Sequence, residues 1–483
     1  MTREPRKRKA PFSDNKPTKA QTLSKFFKLN MTKGAVAADN EPEPEPEPEV
    51  SENADSCVKS WVQWREIGGT WIGRYGSPNP AAKFAAFDLD STLIRVKGNW
   101  KYPKGADDWR FFHPSVPNVL RNLHSQGYKI VIISNQNGLR KAKGSTELPK
   151  GAVDYRKKIA NIGKQLGISL TILAATAKDY MRKPSPGMWH LAELDNSGIV
   201  VDKSASFYVG DAAGRLKGWK AGVEADFSDS DLAFALNAGV AFYTPEEVFN
   251  NSITCSQDEL FVLPSPLTWS ITRFTPKLLE IDHAAHSALI TALREAIDSA
   301  KVAKKGLLLI LVGPPACGKS TFTQQHLVPL GFERINMDIL KTRKKCEDAA
   351  LKSFKSGSCV VVDNTNPDPS SRSTFVAMAK THGADSIAVV FEHKSRDLAI
   401  HNNSFRASLA QACHLFDASE QDHQTILSTM PVCVDMVPAV AYHSYFKKFV
   451  LPAESEGFSK ILHHTFVPEF ASPKEKKLWY QYY

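Results

Sequence analysis

Eight residues, Gly313-Pro-Pro-Ala-Cys-Gly318-Lys319-Ser320, constrain the fold of this chain more than any others. They follow Leu307 to Val312, an apolar run with the length of a buried strand, and precede a segment that can open a helix. G-x-x-x-x-G-K-S in that setting predicts a loop whose backbone N–H groups cradle phosphates. Lys319 is then placed to reach the β- and γ-phosphates of ATP and Ser320 to reach Mg²⁺, with Gly313, Gly318 and Thr321 completing the cradle. Strand, loop and helix in that order specify an α/β domain.

The residues beyond the loop extend this reading towards a kinase. Phe332 to Asn336 leads to Asp338, a carboxylate just past a second short strand, where a base could stand near an acceptor hydroxyl. Lys341, Arg343, Lys344 and Lys345 follow at once, which suits an anionic acceptor. A third strand, Cys359 to Val362, ends in Asp363-Asn364-Thr365-Asn366, where Asp363 suits a metal-supporting or a turn-holding role. His401-Asn402-Asn403-Ser404-Phe405-Arg406 is expected in a lid, with Arg406 free to reach the transferring phosphoryl group.

A second centre of chemistry lies upstream, in Lys83 to Leu93, which reads KFAAFDLDSTL. A buried strand ending in Asp88-x-Asp90 can aim two carboxylates at one point, which suits a hard cation such as Mg²⁺. DxD alone reads better as a solvated Asp-rich turn, but three further features follow in order. Tyr128 to Ile133 ends in Ser134-Asn135, Arg182-Lys183-Pro184 offers a lone lysine, and Phe207-Tyr208-Val209 ends in Gly210-Asp211. The set resembles the haloacid-dehalogenase-type phosphotransferases. That resemblance implies Asp88 as the nucleophile and Asp90 as the acid and then the base. It also implies Mg²⁺ held by Asp88, the Asp90 backbone carbonyl and Asp211, with Ser134 and Lys183 neutralising the phosphoryl oxygens. Asp226, Asp229 and Asp231 fit either metal support or a solvated acidic loop.

Little room separates these motifs, so no cap domain is expected over the site and a polymer end could enter. Arg140, Lys141, Lys143, Lys150, Arg156, Lys157 and Lys158 would then grip backbone phosphates or serve as a solvated helix face. Trp61, Trp64 and Trp71 are expected to pack against the sheet rather than stack on bases.

A DxDST phosphatase ahead of a P-loop kinase, with DNTN and HNNxFR, resembles the bifunctional polynucleotide phosphatase/kinase family from about Trp61 onwards. The resemblance implies removal of 3′-phosphates and ATP-dependent phosphorylation of 5′-hydroxyls, preparing DNA breaks for ligation. RNA ends are the alternative substrate, and a non-catalytic repair scaffold is the rival class, disfavoured by intact Asp88, Asp90, Lys319 and Asp338. Position 404 holds Ser where the family pattern leads one to expect Arg. Metazoan members open with a forkhead-associated domain, and here a polar tail stands in that place.

Charge and length organise the remainder. The 483 residues predict a tail over 1–56, a phosphatase domain over 57–262 and a kinase domain over 263–483, joined near Pro264 to Pro276. Residues 1–33 hold ten Lys/Arg against two Asp/Glu, and residues 34–56 hold eight Asp/Glu and no Lys/Arg. These cancel, so the net charge of +10 belongs to the folded part and favours a polyanionic partner. Pro5-Arg6-Lys7-Arg8-Lys9 reads as a nuclear import signal, and Glu41 to Glu49 as an extended Glu-Pro spacer. Leu23, Phe26 and Phe27 resemble the anchors of a sliding-clamp motif, although Ala20 stands where that motif usually has Gln. No apolar run has the length of a membrane span, and seven scattered Cys fit free thiols; a monomer is expected.

Overall fold

The computed structural model describes residues 62–67, 69–100, 103–140, 147–250, 261–267, 269–271, 273–392, 396–416 and 429–483. The import cluster, the Glu-Pro spacer, the clamp-like anchors, Trp61, Lys141 and Lys143 lie outside them.

The described chain opens with an antiparallel hairpin, β1 (Gln63–Ile67) and β2 (Thr70–Tyr75). Next comes β3 (Lys83–Phe87), whose Phe84, Ala85, Ala86 and Phe87 are fully buried because the strand is covered on both faces. A small ribbon, β4 (Ile94–Arg95) with β5 (Arg110–Phe111), separates it from β6 (Tyr128–Asn135). β7 (Leu170–Ala175), β8 (Phe207–Val209) and β9 (Ala241–Tyr243) complete a sheet of order β1-β2-β7-β6-β3-β8-β9. β3 runs parallel to β6 and β8, with Phe87 opposite both Ile132 and Val209. Asp88, Ser134 and Asp211 are thereby delivered to one edge of the sheet.

Helix Lys150–Leu166 shows why its basic residues do not all face water. Ala152, Tyr155, Ile159, Ile162 and Leu166 recur at helical spacing and are buried, and Lys158 falls on the same face. Among the described residues, the intervals from β3 to β6 and from β6 to Lys183 hold only the ribbon, short turns and one long helix each, with β7. The described residues form no cap domain there.

The second sheet is all parallel: β10 (Leu307–Val312), β11 (Glu333–Ile335), β12 (Val360–Val362), β13 (Asp385–Phe391) and β14 (Lys460–His464), in the order β11-β12-β10-β13-β14. β10 is buried along its whole length, as a central parallel strand must be. Helices His283–Val302, Arg343–Lys355, Pro369–Thr381 and Asp397–Phe416 accompany it.

The two sheets meet through a packed joint that the motifs did not reveal. Ala412, Leu415 and Leu478, from the second half, belong to the apolar cluster of Tyr180, Met188, Trp189 and Leu191 in the first. Each such fully buried large side chain contributes about 1.5–3 kcal/mol. Polar contacts fix the register. The Tyr180 N–H donates to Gln411 Oε1 (3.2 Å), Asn237 Nδ2 donates to the Tyr482 carbonyl (2.8 Å), and the Tyr482 N–H returns to Asn237 Oδ1 (2.8 Å). Arg273, inside the expected connector, donates to Asp229 Oδ1 through Nε at 2.8 Å and to the Tyr483 carbonyl at 2.9 Å. Asp229 is therefore a joint residue rather than part of a solvated loop.

Candidate active sites

At the carboxyl edge of the first sheet, Lys183 is almost wholly buried and makes four polar contacts. Its Nζ lies 2.6 Å from Asp88 Oδ1 and 2.7 Å from Asp231 Oδ1, and donates to the Ile133 carbonyl (3.0 Å) and Tyr208 Oη (2.7 Å). Burial alone would lower the Lys183 ammonium, but Asp231 and Asp88 more than offset that and leave it raised. Tyr208 donates to Asp231 Oδ1 at 3.1 Å, and the Ala212 N–H donates to Asp231 Oδ2 at 3.0 Å. Asp231 sits so close to Gly210 that a Cβ there would meet its carboxylate at 2.5 Å, which is why the strand end needs glycine. Asp226 has a different task, accepting from the Ala213 N–H (3.1 Å) and Arg215 Nε (2.8 Å) to hold the loop after β8.

Asp90 turns away from this cluster and is half exposed, at 51%. The turn after β3 sets that direction, with the Leu93 and Ile94 N–H groups both donating to the Leu89 carbonyl. Asp90 Oδ2 accepts from Gln136 Nε2 at 2.7 Å, and its Oδ1 lies 3.8 Å from Lys158 Nζ. Gln136 also donates to Ser134 Oγ at 3.0 Å, so one amide spans two expected site residues. Thr92 Oγ1 donates to Asp211 Oδ1 at 3.4 Å.

Carboxylate oxygens of Asp88, Asp211 and Asp231 all lie within 4.8 Å of one another. Burial first, then the Asp231 charge, pushes Asp211 up to about 7; burial, with Asp231 and Asp211, holds Asp88 well above the usual range despite Lys183. Two buried carboxylates and a half-buried one against one ammonium are short of positive charge, and an all-oxygen donor set fits Mg²⁺. The Asp90 carboxylate is not among these oxygens; the family resemblance implies only its backbone carbonyl as a ligand.

On the second sheet, the register of β11, β12 and β10 sets Ile335, Val362 and Ile310 side by side. Asp338, Asp363 and the phosphate loop therefore share one edge. Gly318 adopts φ +96°, a left-handed conformation that lets the loop turn into its helix without strain. Lys319 is buried, its Nζ donating to the Gly313 (3.0 Å) and Pro314 (2.7 Å) carbonyls. Ser320 Oγ donates to Asp363 Oδ2 at 2.9 Å, and Arg334 Nε donates to the same oxygen at 2.9 Å. Asp363 Oδ1 is buried with no hydrogen-bond partner among the described residues, which again fits a hard cation beside Ser320. The rest of DNTN is scaffold: Asn366 Nδ2 donates to the Leu311 carbonyl (2.7 Å), and the Thr365 carbonyl accepts from the Gly313 N–H (3.2 Å).

A cavity of about 370 Å³ opens beside the loop, lined by Gly318, Lys319, Ser320, Thr321 and Arg406. Arg406 lies within helix Asp397–Phe416, so the expected lid is the middle of a helix. The residues before Arg406 anchor it: His401 Nε2 donates to the Trp479 carbonyl at 2.9 Å, and Asn402 Oδ1 accepts from Trp479 Nε1 at 2.9 Å. Asp338 does not line this cavity; it is exposed on the flank beyond β11. Asn336 caps its short helix by accepting from the Asp338 N–H at 2.9 Å.

Two basic clusters are less available than expected. Arg343 donates to Glu347 (2.9 Å), the Ser370 carbonyl (3.3 Å) and Thr374 (3.1 Å), so it ties two helices together, and Lys344 pairs with Asp348 at 2.9 Å. Arg156 lies over the Trp71 ring at 4.6 Å, and Trp64 packs edge-on against Trp71, which keeps these indoles within the protein.

Acidic strand ends around a buried lysine belong to phosphatases of the haloacid-dehalogenase type, and a phosphate loop opening a helix belongs to P-loop kinases; the chain joins one of each. A family model described as polynucleotide kinase 3 phosphatase matches residues 83–249, and one described as an AAA domain matches residues 308–425. The bifunctional polynucleotide phosphatase/kinase of Schizosaccharomyces pombe is 32% identical over 85% of this chain and 87% of that protein. The chain belongs to the bifunctional polynucleotide phosphatase/kinase family. The polynucleotide 3′-phosphatase of Saccharomyces cerevisiae is 31% identical, covering 34% of this chain and 86% of its own length. Polynucleotide 3′-phosphatase ZDP of Arabidopsis thaliana is 32% identical over 50% of this chain and 35% of that protein.

Proposed function

We propose that this enzyme repairs broken DNA ends, hydrolysing a 3′-phosphate at the Asp88 site and phosphorylating a 5′-hydroxyl with ATP at the Lys319 site. The observation that carries the reading is the convergence of Asp88, Asp211 and Asp231 around Lys183, at an edge where the described residues form no cap domain. Asp88 attacks phosphorus and becomes an aspartyl-phosphate while Asp90, facing outward, gives its proton to the leaving 3′-oxygen. Asp90 then takes a proton from the water that releases phosphate, with Gln136 and Lys158 orienting it. Ser134 and Lys183 support the phosphoryl oxygens.

In the kinase half, Lys319 leaves its loop carbonyls for the β- and γ-phosphates, Asp338 takes the proton of the 5′-hydroxyl, and Arg406 steadies the transferring group. Asp88, the Asp90 carbonyl, Asp211 and Asp231 would hold one Mg²⁺, and Ser320 with Asp363 a second. Bound Mg²⁺ supplies positive charge to the phosphoryl oxygens. The phosphatase domain is assigned to 57–262 and the kinase to 263–483. Import to the nucleus through Pro5 to Lys9, docking of Leu23, Phe26 and Phe27 on a sliding clamp, and action as a monomer belong to the same reading.

The test is a gapped duplex bearing both a 3′-phosphate and a 5′-hydroxyl, in DNA and RNA versions. Asp88→Asn should abolish phosphate release and keep 5′-labelling, because an amide is a poor nucleophile. Asp338→Asn should do the reverse, losing about 10²–10⁴-fold in kinase rate. Loss of both activities from Asp88→Asn in a normally melting protein would overturn the two-site assignment. Equal turnover of RNA ends would overturn the DNA assignment.

A further inference from the structure

His286, His326 and Glu469 come from three distant parts of the chain and meet beside the phosphate loop. His286 is in the first turn of helix His283–Val302, His326 lies just after the loop's own helix, and Glu469 lies beyond β14. His326 Nε2 is 2.9 Å from Glu469 Oε1, and His286 Nε2 is 3.7 Å from the same oxygen. One ligand atom from each of the three lies within 4.8 Å of the others. The first contact is a hydrogen bond; the second is too long to be one. His286 Nδ1 is moreover buried with no hydrogen-bond partner among the described residues.

We propose that His286, His326 and Glu469 bind a divalent transition metal of the Zn²⁺ class, separate from both Mg²⁺ sites. Two imidazoles and one carboxylate form a borderline nitrogen–oxygen set, which suits Zn²⁺ or Co²⁺ and is a poor match for Mg²⁺. Three protein ligands leave a further position open to water. An ion there cross-links helix His283–Val302, the segment after the loop helix and the 465–471 segment. That last segment carries Phe466, whose ring lies 3.6 Å from where a Cβ on Gly318 would stand. The metal thus fixes one wall of the cavity beside Lys319, and all three ligands line that cavity.

The experiment titrates the full chain with Co²⁺ in a large excess of Mg²⁺, reading the visible absorption bands, and then displaces Co²⁺ with Zn²⁺. The expected result is saturable uptake of one Co²⁺ per chain, weakened at least tenfold by His286→Gln and by His326→Gln. Zn²⁺ should raise the melting temperature of the wild type by a few degrees and leave both variants unmoved. Either variant decides the matter alone if the other fails to fold. Absence of saturable Co²⁺ uptake in the wild type, or uptake unchanged in the variants, overturns the proposal.

Discussion

Lys183 and Asp231 form an ion pair of 2.7 Å in which both side chains are only 3% exposed. Asp231 also accepts from Tyr208 and from the Ala212 N–H, so it fixes the height of the ammonium that faces Asp88. Asp231→Asn keeps the shape and removes the charge. Phosphatase activity should fall about 10–100-fold, with the Mg²⁺ requirement shifted upward, while kinase activity stays unchanged. A Mg²⁺ titration of phosphate release, with 5′-labelling as the internal control, measures this.

Asp363 receives both Ser320 and Arg334 on one oxygen. Asp363→Asn removes the charge opposite Arg334 and the acceptor beside the phosphate loop. The kinase should lose about 10–100-fold, concentrated in its dependence on Mg²⁺ and ATP, and phosphate release should be untouched. Steady-state kinetics at varied Mg²⁺ will separate this from loss of DNA binding.

The basic residues after Asp338 should divide into two kinds. Replacing Lys341 and Lys345 by Ala should raise the kinase KM for DNA and reduce the slope of log affinity against log salt by about 0.7–0.9 per lost phosphate contact. Arg343→Ala should lower the melting temperature and leave that slope alone, because its guanidinium is held by Glu347, Ser370 and Thr374. A salt series on each variant tests the division.

Acid should loosen the hold of helix Asp397–Phe416 on the Trp479 carbonyl. Burial lowers His401 to about 4, against a backbone contact with Trp479 that raises it. The unfolded chain therefore takes up a proton near pH 6.5 that the folded chain refuses, so this stabilisation is complete above 6.5 and is lost as pH falls towards 4. At pH 5 the loss is about 2 kcal/mol. His401→Gln keeps the donor and removes the titration, and denaturant midpoints for the two proteins should converge between pH 7 and 5. Asp211, raised to about 7, acts in the opposite sense and is common to both proteins.

How much of this could be read in advance depends on whether a residue's neighbour is set by the chain or by the sheet. Asp88, Ser134 and Asp211 stand at the ends of apolar runs, and runs that pair in parallel bring their ends together without further information. Lys319 and Ser320 follow their strand directly. Tyr208 and Gln136 gave no comparable signal, since their importance comes from which strands lie side by side. Asp231 was visible as one of three acidic residues. Only the loop after β8 decides that it turns inward while Asp226 holds Arg215 and Asp229 holds Arg273. Arg343 misled because sequence shows a charge and not the partner that occupies it.

The contacts that seal the two halves join positions far apart in time as well as in sequence. Tyr482 pairs with Asn237 across 245 residues, and Gln481 reaches Tyr180 across 301. During synthesis the first sheet can close on itself long before Leu478 exists to cover Trp189 and its neighbours. In that interval a greasy face is open to other nascent chains and to chaperones. A frameshift late in the reading frame, though it spares every phosphatase residue, would make that exposure permanent and lower the yield of active phosphatase.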